Sequence, residues 1–460
     1  MSAAGDWSGR RLHFVGIGGA GMSGLALVCA RLGASVSGSD RSESSYMERL
    51  REAGLAAVVG HDAANVPEDA ELVVSTAIGA TNPERERGRE LGLREVHRGE
   101  LLAELCAEKR LIAVAGTHGK TTTTAMAVWA LRALGEDPAF FVGGEVPGLG
   151  PGGAAANAGW GEGEWVVAEA DESDGSFLRL APEVAVATNL EMDHQAHWGS
   201  LTKLHEAFAE FLAPARAVVV PADGSLDPLL PAAAERVGFD TATPGPAELP
   251  LAVPGRHNKA NARAALAAIS LALAENAVSP AYREELGSQA AVGLADFPGA
   301  KRRLELKGRR GAVSIYDDYA HHPTEVRAAL SALRELEPAP SRLIAVFQPH
   351  LYSRTKAFAE QFGAALALAD EVVVLDVYPA REEPVGELAG VSGLDVARAT
   401  ADRIGGGRVR WLPTAAAAER VLAPELDRAR PGSVLVTVGA GDVFKLAEAL
   451  AYADGPKERS

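Results

Sequence analysis

The chain has 460 residues and carries 61 acidic against 45 basic side chains, a formal net charge of −16, which argues against a nucleic-acid partner held by bulk attraction to phosphate. At about 150 residues per domain the length holds roughly three domains, and any anionic small molecule must be caught by local basic groups and backbone N–H clusters. Cys29 and Cys106 form neither a disulfide framework nor a metal pattern, residues 1–11 lack a signal-peptide core, and no apolar run nears a membrane span; a soluble, cytoplasmic protein with no membrane partner is expected.

In chain order, a strand over 12–17 runs into Gly16-Ile-Gly18-Gly19-Ala20-Gly21, and Met22 opens a helix over 22–32. A second strand over 34–38 leads to Asp40, 24 residues after Gly16. This is a G-x-G-x-x-G turn with an acidic residue placed for a ribose. Such a loop holds diphosphates generally, so NAD and a UDP-sugar are both candidates; a glycine-rich turn needed only for close packing is the plainer alternative. Strands over 57–59 and 72–77 continue an α/β pattern, and a helix over 100–108 leads to a domain boundary near 108.

The next strand, 111–115, ends in Gly116-Thr117-His118-Gly119, and Lys120, Thr121 and Thr122 begin a helix. Strand, glycine turn and helix start aim several N–H groups at one anion. Lys120 adds a point charge for β- and γ-phosphates, and the Thr121 hydroxyl suits Mg²⁺. An ordinary strand-to-helix turn accounts for Gly119 but not for Lys120, whose charge opposes the helix dipole. Val114 stands where the general nucleotide pattern wants glycine, so the turn reads as a shorter phosphate loop, and ATP is the expected nucleotide.

Beyond a strand over 139–142, the Gly/Ala/Pro-rich stretch 143–163 reads as a flexible loop or lid. A strand over 165–169 then ends in Glu169, followed by Asp171, Glu172 and Asp174. Asp171 and Asp174 suit helix caps. Glu169 still belongs to the strand and is costly to bury without a cation, for which Mg²⁺ is the natural choice beside phosphates. A strand over 184–188 leads to His194, as readable as a loop histidine as a metal ligand. After a helix over 203–212 and a strand over 217–220 comes a helix bearing Asn258 and Asn261 on one face. Their amides suit a base edge or, more conservatively, the helix N-terminus.

Residues 297–303 read as a hinge into a third α/β segment with strands over 313–316, 343–347, 372–375, 409–411 and 434–438. Polar groups again follow strand ends: Asp317-Asp318-Tyr-Ala-His321-His322 before a helix opened by Pro323, His350 and Arg354 spaced to share a helical face, and Gly439-Ala-Gly-Asp442. The segmentation is therefore 1–108, 109–298 and 299–460.

Seven stretches in this order resemble the Mur ligases: residues 13–24, Gly-Thr-His-Gly-Lys-Thr-Thr (116–122), Glu-Ala-Asp-Glu-Ser-Asp (169–174), Met-Asp-His (192–194), His-Asn-x-x-Asn (257–261), Asp-Asp-Tyr-Ala-His-His-Pro-Thr-Glu (317–325) and Gln-Pro-His-x-Tyr-x-Arg-Thr (348–355). The resemblance implies an α/β protein of three domains: an N-terminal Rossmann-like domain for a UDP-sugar, a central P-loop mononucleotide-binding ATPase, and a C-terminal Rossmann-like domain that closes over ATP and receives an amino acid. It implies ATP-dependent joining of L-alanine to the lactyl carboxylate of UDP-N-acetylmuramate through an acyl phosphate, a step of peptidoglycan precursor synthesis.

Carried over residue by residue, Gly16, Gly18, Gly19, Ala20, Gly21, Met22 and Asp40 hold the UDP-sugar, and Gly116 to Thr122 hold phosphates. Thr121 and Glu169 hold Mg²⁺, and His194 falls at a second metal position. Asn258 and Asn261 fall near the adenine, Asp318 near the ribose, Arg303 among the catalytic groups, and His350 and Arg354 near the amino acid, whose carboxylate Arg354 can pair bidentately. Leu351 departs from the pattern, standing where relatives often carry a further arginine. A ligase of the same nucleotide sugar that takes a preformed tripeptide is the nearest rival. An NAD-dependent oxidoreductase explains residues 16–40 but leaves Lys120, Glu169 and His194 idle, and a nucleotide-gated switch leaves His350 and Arg354 idle.

Overall fold

The apolar runs become the inner strands of three α/β sheets in the computed structural model, which describes residues 7–193, 195–240, 249, 251–273, 280–380 and 382–451. The chain divides into two units, Met1–Ala252 with Lys259–Pro298, and Val253–Asn258 with Gly299–Ser460. No helix among the described residues is long and apolar enough to cross a membrane. Both cysteines are buried and unbridged.

The first unit contains two sheets. One joins β1 (Arg11–Val15), β2 (Ser35–Asp40), β3 (Ala56–Val59), β4 (Glu71–Val74) and β5 (Glu95–His97) in the parallel order β3-β2-β1-β4-β5. Strand order reverses at β1, and in such sheets the crevice beyond the carboxyl ends at that point takes ligands. Helices α1 (Ala20–Arg31), α2 (Ser45–Glu52), α3 (Pro83–Leu91) and α4 (Arg98–Cys106) belong to this part of the chain. Leu12, Phe14, Val73 and Val96 bury the strands against Leu25, Val28, Leu101 and Leu105.

The second sheet joins β6 (Arg110–Ala115), β7 (Ala139–Val146), β8 (Ala156–Gly159), β9 (Trp165–Glu169), β10 (Val184–Ala187), β11 (Ala217–Pro221) and β12 (Glu235–Phe239) in the order β12-β11-β10-β6-β9-β7-β8. Only β8 runs antiparallel, against β7. Flanked on both sides, β6 is buried from Leu111 to Ala115, as its unbroken apolar run demands, and feeds α5 (Lys120–Ala133). Register sets Glu169 beside Val114 and Ala187 beside Ala115, so three strands deliver their following residues to one edge.

The second unit holds β13 (Glu305–Arg310), β14 (Val313–Asp318), β15 (Arg342–Phe347), β16 (Glu371–Val374), β17 (Val409–Trp411) and β18 (Ser433–Val438) in the order β13-β14-β18-β15-β16-β17. Asp318, Val438 and Phe347 lie in one row across three parallel strands, which aligns the segments that follow them.

Two expectations change. Part of the stretch 143–163 is a hairpin: β7 continues through Val146 and β8 returns beside it. Its Gly/Ala composition hides the strand, because small residues are needed where Gly24 of α1 meets Ala158. Strands β12 and β13 also escaped the sequence reading, since each sits at a sheet edge and carries charges where an inner strand has apolar residues.

Candidate active site

At the end of β1 the chain makes the glycine turn expected there. Gly16 takes φ +86°, which glycine adopts without strain, and Gly16 and Ile17 donate N–H bonds of 2.8 and 2.9 Å to the Ser39 carbonyl. Asp40 Oδ2 accepts from Gly18 N at 3.0 Å. Asp40 thus braces the turn while remaining partly exposed, and its Oδ1 accepts from Ser42 N at 3.3 Å. Gly19 caps α1 without a side chain, which leaves the first-turn N–H groups of Ala20, Gly21 and Met22 without an intrahelical acceptor. The Met22 side chain is in the core, so its backbone is the part that can meet a ligand.

The Ser39 carbonyl is itself held in place. Ser39 Oγ donates at 2.6 Å to Glu84 Oε2 of α3, and Asn65 donates to Glu84 Oε1 at 2.7 Å. His13 and His61 lie 3.5 Å from the same carboxylate. Burial opposes ionisation of the fully buried Glu84, yet the bonds from His13, Ser39 and Asn65 hold its carboxyl down at about 2.

The phosphate turn is built around a second set of bonds. Gly116 (φ +134°) and Gly119 (φ +83°) bend the backbone. Thr117 N donates to Asn189 O at 3.2 Å, and His118 N to Asn189 Oδ1 at 2.9 Å. Thr188 Oγ1 donates to the His118 carbonyl at 2.6 Å. The N–H groups of Thr117 and His118 are therefore engaged by the segment after β10, and Gly119, Lys120, Thr121 and Thr122 supply the helix-start donors. A Cβ on Gly119 would stand 2.5 Å from Asn261 Oδ1, so Asn261 lies against this turn. Asn258 donates instead to the Pro254 carbonyl at 2.7 Å, a local bond at the helix start. His194 lies outside the described residues.

Lys120 Nζ folds back over the turn, 2.7 Å from Gly116 O and 2.8 Å from Glu172 Oε2. Burial works against the ammonium, but Glu172, Asp171 and Glu169 outweigh it and hold its pKa above the ordinary value. Glu172, 2% exposed, is pushed up to about 7 by burial and by Asp171, in spite of Lys120. Asp174 goes the other way, to about 2: burial opposes its ionisation, but Arg98, at 2.9 Å, and Ser176 outweigh it. Arg98 also reaches Asp171 at 3.2 Å and lies by the first turn of α1, 3.8 Å from a Cβ placed on Gly21. The sequence reading missed Arg98, Thr188 and Asn189; the sign available was their position just beyond strand ends.

Glu169 bridges two partners. Its Oε1 accepts from Thr121 Oγ1 at 3.1 Å and its Oε2 from Gly143 N at 2.7 Å. A Cβ on Gly143 would come within 2.6 Å of both carboxylate oxygens. Two hard oxygen donors from α5 and β9 thus converge beside an acid-rich turn, a donor set that fits Mg²⁺.

In the second unit, Asp318 is buried and accepts 2.8 Å bonds from Leu304 N and Ala320 N. Burial pushes its carboxyl up to about 6 against the opposing pull of Arg303. Arg303 lies over the Tyr319 ring, 5.2 Å from its centroid, and 4.0 Å from Glu325. His350 and Arg354 do meet, at 3.4 Å from Nδ1 to Nη1, but not by sharing a helical face. The helix starts at Tyr352, and His350 precedes it in a bridge to Tyr378, stacked on that ring. Leu351, at φ +69°, makes the turn between them.

Comparison with known proteins fits this arrangement. Residues 11–110 match the Mur ligase family catalytic domain, residues 114–248 the Mur ligase middle domain, and residues 302–441 the Mur ligase glutamate ligase domain. The chain is 46% identical to a UDP-N-acetylmuramate–L-alanine ligase of Kineococcus radiotolerans, over 94% of either chain. It is 45% identical to the ligase of that name in Renibacterium salmoninarum, over 96% of this chain and 95% of the relative. Among solved structures it is similar to the UDP-N-acetylmuramate–alanine ligase of Thermotoga maritima, with a TM-score of 0.78 and 29% identity over 96% of this chain and 98% of that one. With matched domains across most of its length and relatives this similar over nearly all of it, the chain belongs to the Mur ligase family.

Proposed function

We propose that this protein joins L-alanine to the lactyl carboxylate of UDP-N-acetylmuramate, converting ATP to ADP and phosphate, in the cytoplasmic synthesis of peptidoglycan precursor. The observation that carries this reading is full-length similarity to alanine ligases, together with a glycine turn for a nucleotide sugar and a phosphate turn for ATP within one unit. Division at residues 108 and 298 leaves one sheet in each segment.

Lys120 and the N–H groups of residues 119–122 bind the β- and γ-phosphates, with Asn261 against the turn. A carboxylate approaching a triphosphate meets strong repulsion, so positive charge must lie along the in-line path. Thr121 and Glu169 would hold Mg²⁺, which when bound neutralises developing charge on the transferring phosphoryl group. Once phosphate oxygens take up Lys120, its present partner Glu172 loses the charge that favours its ionised form, and burial, which already pushes that carboxyl up, favours protonation in its place. The α1 turn binds the UDP diphosphate through Gly18 to Met22, with Asp40 at the ribose.

The lactyl carboxylate attacks the γ-phosphorus, ADP leaves, and an acyl phosphate forms. The alanine amine then attacks that carbonyl, and phosphate departs from a tetrahedral intermediate. In the second unit Arg354 pairs the alanine carboxylate, His350 orients Arg354, and Asp318 and Arg303 serve the nucleotide. Assay of ADP release tests the reading: turnover is expected with L-alanine as acceptor and not with an L-Ala-γ-D-Glu-containing tripeptide. Preference for the tripeptide would replace it with the rival ligase.

A further inference from the structure

One segment given no role above bonds both to Glu169 and to the first residue of α1. At the base of the β7–β8 hairpin, Gly143 N holds Glu169. Further along β7, buried Glu145 pairs with Arg49 of α2, and Arg49 Nη1 donates to the Ala155 carbonyl at 3.1 Å. On the returning strand Asn157, 2% exposed, donates from Nδ2 to the Ala20 carbonyl at 2.6 Å. Ala20 is the first residue of α1, directly after the glycine turn. The fit is close: a Cβ on Gly24 would come 2.8 Å from the Ala158 Cβ and 3.2 Å from Asn157 Nδ2.

We propose that Asn157 is a positioning residue, fixing the first turn of α1, and with it the bound nucleotide sugar, relative to Glu169 and the phosphate turn. This deepens the functional reading above and rests on it. The first chemical step needs a carboxylate oxygen in line with the γ-phosphorus, and a rate depends steeply on such alignment. The two reactants are held by different sheets, and the hairpin is bonded to the machinery of both. A merely structural role for Asn157 fits less well. The Ala20 carbonyl also accepts from Ser23 Oγ at 3.0 Å and stands at the start of a helix whose own bonds do not involve the hairpin. Losing the amide leaves that carbonyl satisfied and α1 intact; what is lost is the hydrogen bond that, beside the packing of Gly24 on Ala158, ties α1 to the central sheet.

The test uses the full-length protein carrying Asn157→Ala, Asn157→Asp, which keeps the shape but turns an oxygen toward the carbonyl, and Gly24→Ala, which wedges the hairpin off α1 with Asn157 intact. Dissociation constants for a non-hydrolysable ATP analogue and for UDP-N-acetylmuramate are measured by calorimetry beside kcat and the thermal midpoint. Both constants are expected to stay within about twofold while kcat falls about tenfold in Asn157→Ala and Gly24→Ala, and further in Asn157→Asp. Unchanged kcat overturns the proposal, as does a loss accounted for by weaker binding or by a smaller folded fraction. Product identity in the unaltered protein tests the functional reading; the ratio of variant to unaltered kcat, with whichever acceptor turns over, tests this one.

Discussion

Replacing Gly143 by alanine moves the Glu169 carboxylate, proposed above to hold Mg²⁺, without altering any charge. Gly143 has no positive φ to preserve, so the backbone accepts alanine. Its new methyl would stand 2.6 Å from both Glu169 oxygens, and separations below 3.0 Å essentially never occur. The carboxylate must therefore retreat by at least 0.4 Å (3.0 − 2.6), and by 0.8 Å to reach ordinary contact at 3.4 Å. The far end of a flexible side chain moves cheaply, at about 1 kcal/mol for an off-rotamer shift, a few degrees of thermal midpoint at most. The functional cost is larger, because a displacement approaching 1 Å costs up to about 10²-fold in rate. We expect kcat to fall about 10- to 100-fold, or about 1.4–2.7 kcal/mol of barrier. The Mg²⁺ concentration for half-maximal turnover should shift toward that of Glu169→Gln. ADP release measured across a Mg²⁺ titration reads both. A kcat and Mg²⁺ midpoint within twofold of the unaltered protein, in the same preparation where Glu169→Gln is impaired, would refute the link between Gly143 and the proposed metal-holding role of Glu169.

Lys120→Ala should abolish turnover, by about 10³-fold or more given the loss of a charged donor from a phosphate site, while calorimetric binding of the UDP-sugar stays within about threefold; retained turnover contradicts the role of Lys120. Arg354→Ala removes a 7% exposed guanidinium and should raise the alanine KM about 10- to 100-fold, as for a charge-assisted pair, with the ATP KM nearly constant. If both constants rise together, the alanine contact is misassigned. Glu84, held at about 2 against an ordinary 4.5, contributes about 3 kcal/mol at neutral pH. A lowered folded pKa gives stability that is complete above pH 4.5 and lost as pH falls through about 2. The urea-derived stability gap between unaltered protein and Glu84→Gln should therefore shrink by about 2 kcal/mol from pH 7 to pH 3; a constant gap contradicts the assignment.

What could be read in advance followed the local physics. Residues 111–115 declare a buried inner strand because burial on both faces removes any need for polar alternation, and the glycine turns declare themselves through backbone shapes that other residues resist. Glu169 stood out because a carboxylate closing an apolar strand needs a partner. What stayed hidden depends on contacts distant in sequence. Asn189 shapes the phosphate turn from 71 residues away, and Asn157 reaches Ala20 across 137; neither side chain is unusual in its local surroundings. The hairpin reads as a loop in the sequence for the same reason, since its small residues make sense only against α1. His350 and Arg354 met as their spacing suggested, but through the strained turn at Leu351, which a four-residue interval alone does not distinguish from helix.

The central claim is that the γ-phosphoryl group passes from ATP to the sugar-acid carboxylate before the amide forms. UDP-N-acetylmuramate labelled with ¹⁸O in its lactyl carboxylate, turned over with ATP and L-alanine, tests this directly through the mass of the released phosphate. One ¹⁸O is expected in each phosphate derived from labelled carboxylate; phosphate free of the label, with the amide product formed, would contradict prior phosphoryl transfer.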